Sequence, residues 1–95
     1  MRIVWTRRYI RELAAIGDYI GERNPHAATR VVNDIHAKTE KLLSANPFIG
    51  RQGEIKGTRE LVIPQTPYIV AYRVREEHVE ILFVQHGARE WPDEV

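Results

Sequence analysis

The stretch NPHAATRVVNDIHAKTEKLLSANP, residues 24–47, decides the fold because it carries the clearest periodicity in the chain. Its apolar side chains recur at spacings of three and four, which is typical of one buried face of an amphipathic helix. They are Ala28, Val31, Val32, Ile35, Leu42 and Leu43, and Thr39 lies on the same face. Asn is a favoured N-cap and Pro is tolerated best at the first helical position, so Asn24-Pro25 can begin this helix and Asn46-Pro47 can end it.

A second amphipathic segment precedes this helix. Thr6 can cap it, and its apolar residues follow the same spacing: Ile10, Leu13, Ile16 or Gly17, and Ile20. Two such helices joined by a tight link should form an antiparallel hairpin, whose combined apolar face needs a sheet to cover it.

Four β-rich runs can supply that sheet. Arg2 to Trp5 forms a short first strand, and three longer runs follow the helices: Thr58 to Ile63, Tyr68 to Val74 and Val79 to His86. The connections between these three are short enough for antiparallel hairpins. The sequence therefore predicts one α+β domain over residues 1–95, in the order β-α-α-β-β-β, with a helical hairpin packed on an antiparallel sheet.

Composition limits the environment of this domain. The 95 residues include no cysteine, no run approaches the roughly 20 apolar residues that span a bilayer, and the start lacks the apolar stretch of a signal peptide. We therefore expect a cytoplasmic protein without membrane contact. Eleven of the fourteen cationic side chains are arginine, the residue that binds phosphates and carboxylates bidentately.

Charge is distributed unevenly along the second half of the chain. Residues 50–75 hold five cations and two anions, a balance of 5 − 2 = +3, whereas residues 76–95 hold one cation and six anions, a balance of 1 − 6 = −5. The net charge of +1 therefore hides a division along the chain.

Several kinds of active site are excluded. Ser44 is the only serine, and it lies at a helix end without the glycine-rich elbow of a serine hydrolase. The four histidines have no zinc-ligand spacing and no cysteine to complete a set, and no glycine-rich phosphate loop occurs. We expect neither a metal nor a cofactor.

Arg59, Arg73, His86 and Arg89 remain as candidate site residues. Side chains alternate along a strand, so each of the last three strands offers one arginine or histidine beside an apolar row, with Leu82, Val84 and His86 on one face. If strand pairing brought them together, two arginines and a histidine could bind a phosphodiester and transfer a proton without a metal.

The same residues also have structural interpretations. Arg73 could lie on a solvated face or pair with Glu54, Glu60 or the acidic C-terminal turn, because buried charges are rarely left alone. His86 could cap a strand end, and Trp91-Pro92 is predicted to be a packing anchor for the tail.

Four motifs in a fixed order give the chain a family resemblance. They are NPFIGR at Asn46 to Arg51, GTRELVI at Gly57 to Ile63, PYIVAYRV at Pro67 to Val74 and VEILFVQHGAREWP at Val79 to Pro92. With the early helical hairpin they resemble the RelE/ParE superfamily of toxins from bacterial type II toxin–antitoxin systems. The resemblance implies the fold above, a cognate ParD-like or RelB-like antitoxin whose C-terminal segment wraps the toxin, and operator DNA bound through that antitoxin.

Members of this superfamily differ in their targets. ParE-like members inhibit DNA gyrase, whereas RelE-like members cut mRNA on the ribosome with a cluster of lysines and arginines and often a histidine or tyrosine near the C-terminus. Arg59, Arg73, His86 and Arg89 would be catalytic only in the second case. Lys56 is the only lysine in the middle of the chain, and QHGAR followed by WP looks more like ParE-type chains. Gyrase inhibition is the favoured prediction, with a ribosome-dependent endoribonuclease as the alternative and a chain that has lost its toxicity as a third possibility.

Overall fold

The computed structural model describes all 95 residues, Met1–Val95. It contains a β-strand, two α-helices and four further strands: β1 (Arg2–Trp5), α1 (Arg7–Gly21), α2 (Pro25–Ala45), β2 (Arg51–Gln52), β3 (Arg59–Val62), β4 (Tyr68–Val74) and β5 (His78–His86). The predicted order β-α-α-β-β-β is confirmed, with the two-residue strand β2 as an addition that the sequence did not predict.

Both helices begin at the predicted caps. The Tyr9 backbone N–H donates to the Thr6 hydroxyl at 3.3 Å, and the Ala27 N–H donates to the Asn24 side chain at 3.1 Å. Each bond satisfies one of the N–H groups that a helix start leaves without a partner.

The buried face of α2 is confirmed, and so is that of α1 except at its first position, where Tyr9 and not Ile10 is part of the core. Tyr9 is fully buried and Leu13 nearly so, while Ile10 is 47% exposed. The apolar spacing predicted Ile10 instead because Tyr9 has a polar hydroxyl and was not counted among the apolar positions. Its ring lies 5.2 Å from that of Trp5, and its hydroxyl is 3.1 Å from His36 Nδ1, which gives the polar tip a half-buried hydrogen-bond partner.

The sheet is mixed rather than wholly antiparallel. Its strand order is β1-β5-β4-β3-β2, and every neighbouring pair is antiparallel except β1 with β5, where Arg2 lies opposite His78 and Trp5 opposite Ile81. Parallel strands need a long connection, and β1 and β5 are joined by all the elements from α1 to β4.

The two faces of the sheet are covered differently. The helices cover the main core, in which Ile35, Leu43, Leu61, Tyr72 and Ile81 are buried. A small second cluster on the opposite face, formed by Ala71, Leu82 and Phe83, packs against Ile55 and Trp91. Trp91 is thus the packing anchor that the sequence predicted, with its ring centroid 5.3 Å from that of Phe83.

An irregularity in β5 changes which side chains share a face. Tyr72 pairs with Ile81 and Ala71 pairs with Phe83, so Leu82 is an extra residue on its strand. The prediction that Leu82, Val84 and His86 share a face is therefore wrong: Leu82 belongs to the cluster under the tail, whereas Val84 belongs to the core under the helices. Neither helix is long and apolar enough to span a membrane.

Candidate functional site

Arg59 holds the loop that precedes β2. Its Nη1 donates to the Gly50 carbonyl at 2.8 Å and, more weakly, to the Phe48 carbonyl at 3.4 Å, and its guanidinium lies 5.2 Å from the centre of the Phe48 ring. Arg59 lies opposite Tyr72, so its side chain is on the face that the helices cover. The donors on its Nη1 are therefore occupied by the backbone of its own chain.

Arg73 forms an ion pair across two strands. It lies opposite Glu80, and its Nε is 3.3 Å from Glu80 Oε1, with Arg75 Nη2 at 3.9 Å from the same oxygen. The partner is thus Glu80, not Glu54, Glu60 or the C-terminal turn as the sequence analysis considered. This contact joins the basic segment to the acidic one, and it neutralises part of the charge on each.

His86 ends β5 and supports the turn that follows. Its Nδ1 accepts a hydrogen bond from the Ala88 backbone N–H at 3.0 Å, and its ring meets the edge of the Tyr68 ring at a centroid distance of 5.7 Å. Because Nδ1 acts as the acceptor, the neutral ring carries its proton on Nε2. Nε2 therefore remains available to donate to a ligand.

The register does not bring the four candidate residues together. His86 lies opposite Tyr68 at one end of β4, and Arg73 lies five residues along that strand, about 16 Å away at the usual rise of a strand. Arg73 also points to the face opposite Arg59 and His86. The single cationic pocket that the sequence analysis considered is therefore not formed; only His86 and Arg89 share a cavity.

That cavity, here called the α1–β5 pocket, has a volume of about 420 Å³, within the range of ligand pockets in proteins. One wall is a stripe of α1 and the other is the end of the sheet. Its lining residues are Glu12, Ala15, Ile16, Tyr19, Tyr68, Val84, Gln85, His86 and Arg89. The sequence analysis missed the residues contributed by α1, although Glu12, Ile16 and Tyr19 recur at spacings of four and three, as one helix face requires.

Glu12 gives the pocket its unusual electrostatics. Burial raises the pKa of its carboxyl group, while Arg8, the Val84 backbone and Arg89 lower it less. The Arg8 Nε is 3.6 Å from Glu12 Oε1, and that oxygen, shielded from solvent, has no hydrogen-bond partner. The carboxylate is thus close to two cations but incompletely solvated.

Replacing Glu12 by glutamine should stabilise the domain at pH 7. The pKa in the folded state lies above the ordinary 4.5, so the contribution of Glu12 is most favourable below that pH and is lost as the pH rises through the folded-state pKa. Urea denaturation should give Glu12→Gln a higher free energy of unfolding than the wild type at pH 7. At pH 4 the two proteins should be equally stable. Glu77→Gln, in an exposed turn, is the control and should change neither value. A loss of stability at pH 7 would mean that the Arg8 contact outweighs desolvation.

The pocket brings together groups that can contact an anion. Arg89 and the Nε2 proton of His86 could approach one phosphate or carboxylate group, and the pKa of the neighbouring Tyr68 hydroxyl is raised by burial and by Tyr19. Nowhere do three His, Asp or Glu side chains lie close enough to hold a metal ion.

A helical hairpin on one face of a five-stranded mixed sheet, with a short acidic tail on the other, is the architecture of the RelE/ParE superfamily. Residues 3–91 match the family model described as the ParE toxin of the type II toxin–antitoxin system parDE. The chain therefore belongs to the ParE toxin family.

Two individual relatives carry toxin names. The chain is 47% identical over 91 residues to the Y4kP protein of Sinorhizobium fredii, which carries a toxin name, covering 96% of this chain and 93% of that protein. It is 34% identical over 88 residues to the toxin RelE2 of Caulobacter vibrioides, covering 93% and 97%.

Two solved structures share the architecture. A chain of the chromosomal ParDE system of P. aeruginosa superposes with a TM-score of 0.83 at 31% identity, covering 90% of this chain and 95% of the other. A chain of the RelBE2 toxin–antitoxin complex of Mycobacterium tuberculosis has a TM-score of 0.63 at 22% identity with the same coverage, a likeness of fold alone.

Proposed function

We propose that this toxin acts by binding and inhibiting DNA gyrase, and that it is neutralised by a cognate antitoxin. We favour gyrase over the ribosome because the candidate cationic residues lie apart from one another. Arg59 binds the loop backbone and Arg73 pairs with Glu80, so neither is free to join His86 and Arg89 around a phosphodiester. A protein that inhibits its target by binding alone does not need these residues to meet at one point.

The antitoxin belongs to the same proposal. The P. aeruginosa structure, at 31% identity, is described as a ParDE system, and the family model names the parDE system. We infer a ParD-like antitoxin that wraps this toxin in the cytoplasm and contacts operator DNA for the pair. A segment that folds on binding can cover several separate sites on a small domain.

A ribosome-dependent endoribonuclease is the second candidate function. One relative carries the name RelE2, and the α1–β5 pocket places His86 beside Arg89 and two tyrosines. In this alternative His86 would transfer the proton and Arg89 would bind phosphate, whereas Arg59 and Arg73 would have to leave their present partners. That rearrangement makes the alternative the weaker proposal.

Supercoiling assays with purified gyrase should distinguish the two candidates. We expect the toxin to block supercoiling of relaxed plasmid, and induction in cells to raise the DNA-damage response without first arresting translation. His86→Ala is the decisive variant: its side chain is exposed, so the fold should survive, and gyrase inhibition should stay within about twofold of the wild type because the proposed mechanism transfers no proton.

Two further results would contradict this proposal in different ways. Undiminished supercoiling at saturating toxin, together with codon-positioned mRNA cuts that His86→Ala abolishes, would establish the nuclease. Normal growth after induction of the toxin alone would indicate a chain that has lost its toxicity and serves only in a repressor complex.

A further inference from the structure

Three arginine side chains lie together on the face of the sheet opposite the helical hairpin. Arg73 of β4 lies across from Glu80 of β5, and its Nε is 3.3 Å from Glu80 Oε1. Arg75 Nη2 approaches the same oxygen at 3.9 Å. Arg8, at the start of α1, holds its guanidinium 4.5 Å from the centre of the Phe83 ring, which belongs to the apolar cluster on this face. We call Arg8, Arg73, Arg75 and Glu80 the arginine site.

The guanidinium groups of this site remain open to a ligand. Arg8, Arg73 and Glu80 line a cavity of about 270 Å³, and the side chains of Arg8, Arg73 and Arg75 are 36%, 25% and 50% exposed. Within the chain, Arg73 donates one hydrogen bond, from Nε, and Arg8 Nε approaches the Glu12 carboxylate at 3.6 Å. The terminal nitrogens Nη1 and Nη2 of Arg8 and Arg73 therefore have no hydrogen-bond acceptor in the chain.

The arginine site carries a surplus of positive charge. Its three arginines face one carboxylate, that of Glu80, a balance of 3 − 1 = +2. Glu12 adds a negative charge beside Arg8, but it is also close to Arg89, which offsets that charge. Because one Glu80 oxygen holds two of the guanidinium groups, these groups are already oriented, and an oriented guanidinium fork suits bidentate binding of a phosphate.

The acidic tail passes beside the arginine site without neutralising it. Trp91 packs on Phe83, and Val95 lines the cavity of the arginine site, so Asp93 and Glu94 lie between two points on this face. Neither of these carboxylates forms an ion pair with an arginine. They lower the positive potential by proximity alone and leave the hydrogen-bond donors of the site open.

We propose that the arginine site binds the phosphate backbone of the duplex DNA that gyrase holds. Duplex DNA carries about one negative charge per 1.7 Å of its axis, a density that suits several guanidinium groups on one open protein face. Phosphate contacts position a protein without reading the bases, so the site should not select a sequence. This inference rests on the proposed inhibition of gyrase, and it names DNA as a second contact of the toxin in that complex.

Binding to a free DNA duplex of about 20 base pairs tests the site without gyrase. By fluorescence anisotropy at about 20 mM salt, we expect the wild type to bind with a Kd below about 100 µM, because sequence-independent binding reaches this range even at higher salt. The double variant Arg73→Gln with Arg75→Gln should bind at least about tenfold more weakly. Its slope of log K against log salt concentration should be smaller by about 2, since each phosphate contact contributes about 0.9.

A charge-matched control separates the arginine site from net charge. Arg23→Gln with Arg30→Gln removes two exposed arginines near the link between the helices, and it should bind within about twofold of the wild type with an unchanged slope. A thermal melt shows whether each variant folds. If the double variant at the site does not fold, Arg75→Gln alone changes a half-exposed side chain and should still lose at least about threefold in affinity.

Removing charge from the tail should have the opposite effect. Asp93→Asn with Glu94→Gln should strengthen DNA binding at least about threefold, because two charges that repel phosphate are removed and no ion pair is lost. A purely structural role of the arginines would not produce this gain. Asp18→Asn with Glu22→Gln, on the exposed side of α1 and its end, is the matched control and should stay within about twofold of the wild type.

A supercoiling assay then tests the contact within the gyrase complex. The Arg73→Gln, Arg75→Gln variant should need at least about tenfold more toxin than the wild type for half-inhibition, in proportion to its loss of DNA affinity.

The outcomes separate this inference from the function on which it depends. The arginine site alone would be overturned by a wild type that does not bind the duplex, by equal losses in the double variant and its charge-matched control, or by full gyrase inhibition from a variant that no longer binds DNA. Failure of the wild type to inhibit gyrase would overturn the proposed function, and the duplex titration would still decide whether the site binds DNA. Binding at least about tenfold tighter to an RNA duplex of the same length would assign the site to RNA instead.

Discussion

Gly50→Ala should destabilise the domain by about 3 kcal/mol, at the upper end of the usual cost of overpacking a core. A Cβ at this position would lie 2.5 Å from Tyr72 Oη, 2.7 Å from its ring and 2.8 Å from the Glu60 carbonyl oxygen. Tyr72 is fully buried and the carbonyl belongs to a strand, so neither can move aside cheaply. The change would also disturb the hydrogen bond from the Gly50 N–H to Tyr72 Oη, at 2.9 Å.

In urea denaturation the midpoint should fall by about 1–3 M, given how steeply the free energy of unfolding of small domains depends on urea concentration. Gly21→Ala is the matched control. The added Cβ would lie 3.6 Å from Ala28 Cβ, an ordinary contact, and alanine is the better helix former, so stability should be unchanged or up to about 1 kcal/mol higher. Equal midpoints for Gly50→Ala and the wild type would mean that the loop does not pack against Tyr72 as described.

Tyr9→Ala should cost about 3–5 kcal/mol, the range for removing a large buried aromatic ring. Tyr9 is fully buried where β1, α1 and α2 meet, with the Trp5 ring at 5.2 Å and the His36 ring at 5.9 Å. Small domains are stable by only about 5–15 kcal/mol, so the variant should lose a large share of that stability and unfold at a clearly lower temperature than the wild type. Circular dichroism during thermal unfolding provides the measurement.

Tyr9→Phe separates the hydroxyl from the ring. It should cost only about 1 kcal/mol, the typical value of one hydrogen bond, here to His36. It should also reduce sensitivity to alkali. Burial raises the pKa of Tyr9 above the ordinary 10.0, so the wild type loses stability as the pH rises beyond about 10, where the unfolded chain ionises first. A Tyr9→Phe variant as unstable as Tyr9→Ala would show that the polar contact, not ring packing, dominates.

Much of the fold could be predicted because its elements are encoded locally. Thr6 and Asn24 mark helix starts by accepting bonds from residues three positions on, and Pro25 fits the first position of its helix. Strand β4 appears where the apolar run predicted it. The second strand, Arg51–Gln52, escaped prediction because two residues carry no period.

The candidate site was far less predictable. Each predicted strand carries one of the candidates Arg59, Arg73 and His86. Whether they come together depends on the pairing register of the three strands, which an alternating pattern alone does not specify. The extra residue at Leu82 shifts β5 relative to β4, and Glu80 becomes the partner of Arg73. The pocket that does form combines His86 with Glu12 of α1, residues separated by most of the chain.

The sequence by itself determined the order of the elements, the helix boundaries, the anchoring role of Trp91 and the resemblance to the RelE/ParE superfamily. Each depends on residues near one another in the chain or on motifs in a fixed order. The tertiary structure alone decided that Arg59 and Arg73 are held by their own chain, that His86 and Arg89 share a pocket with Glu12, and that Arg8 lies beside Arg73 and Arg75 on one face of the sheet. These depend on strand register and helix placement, which are set by packing across the whole domain.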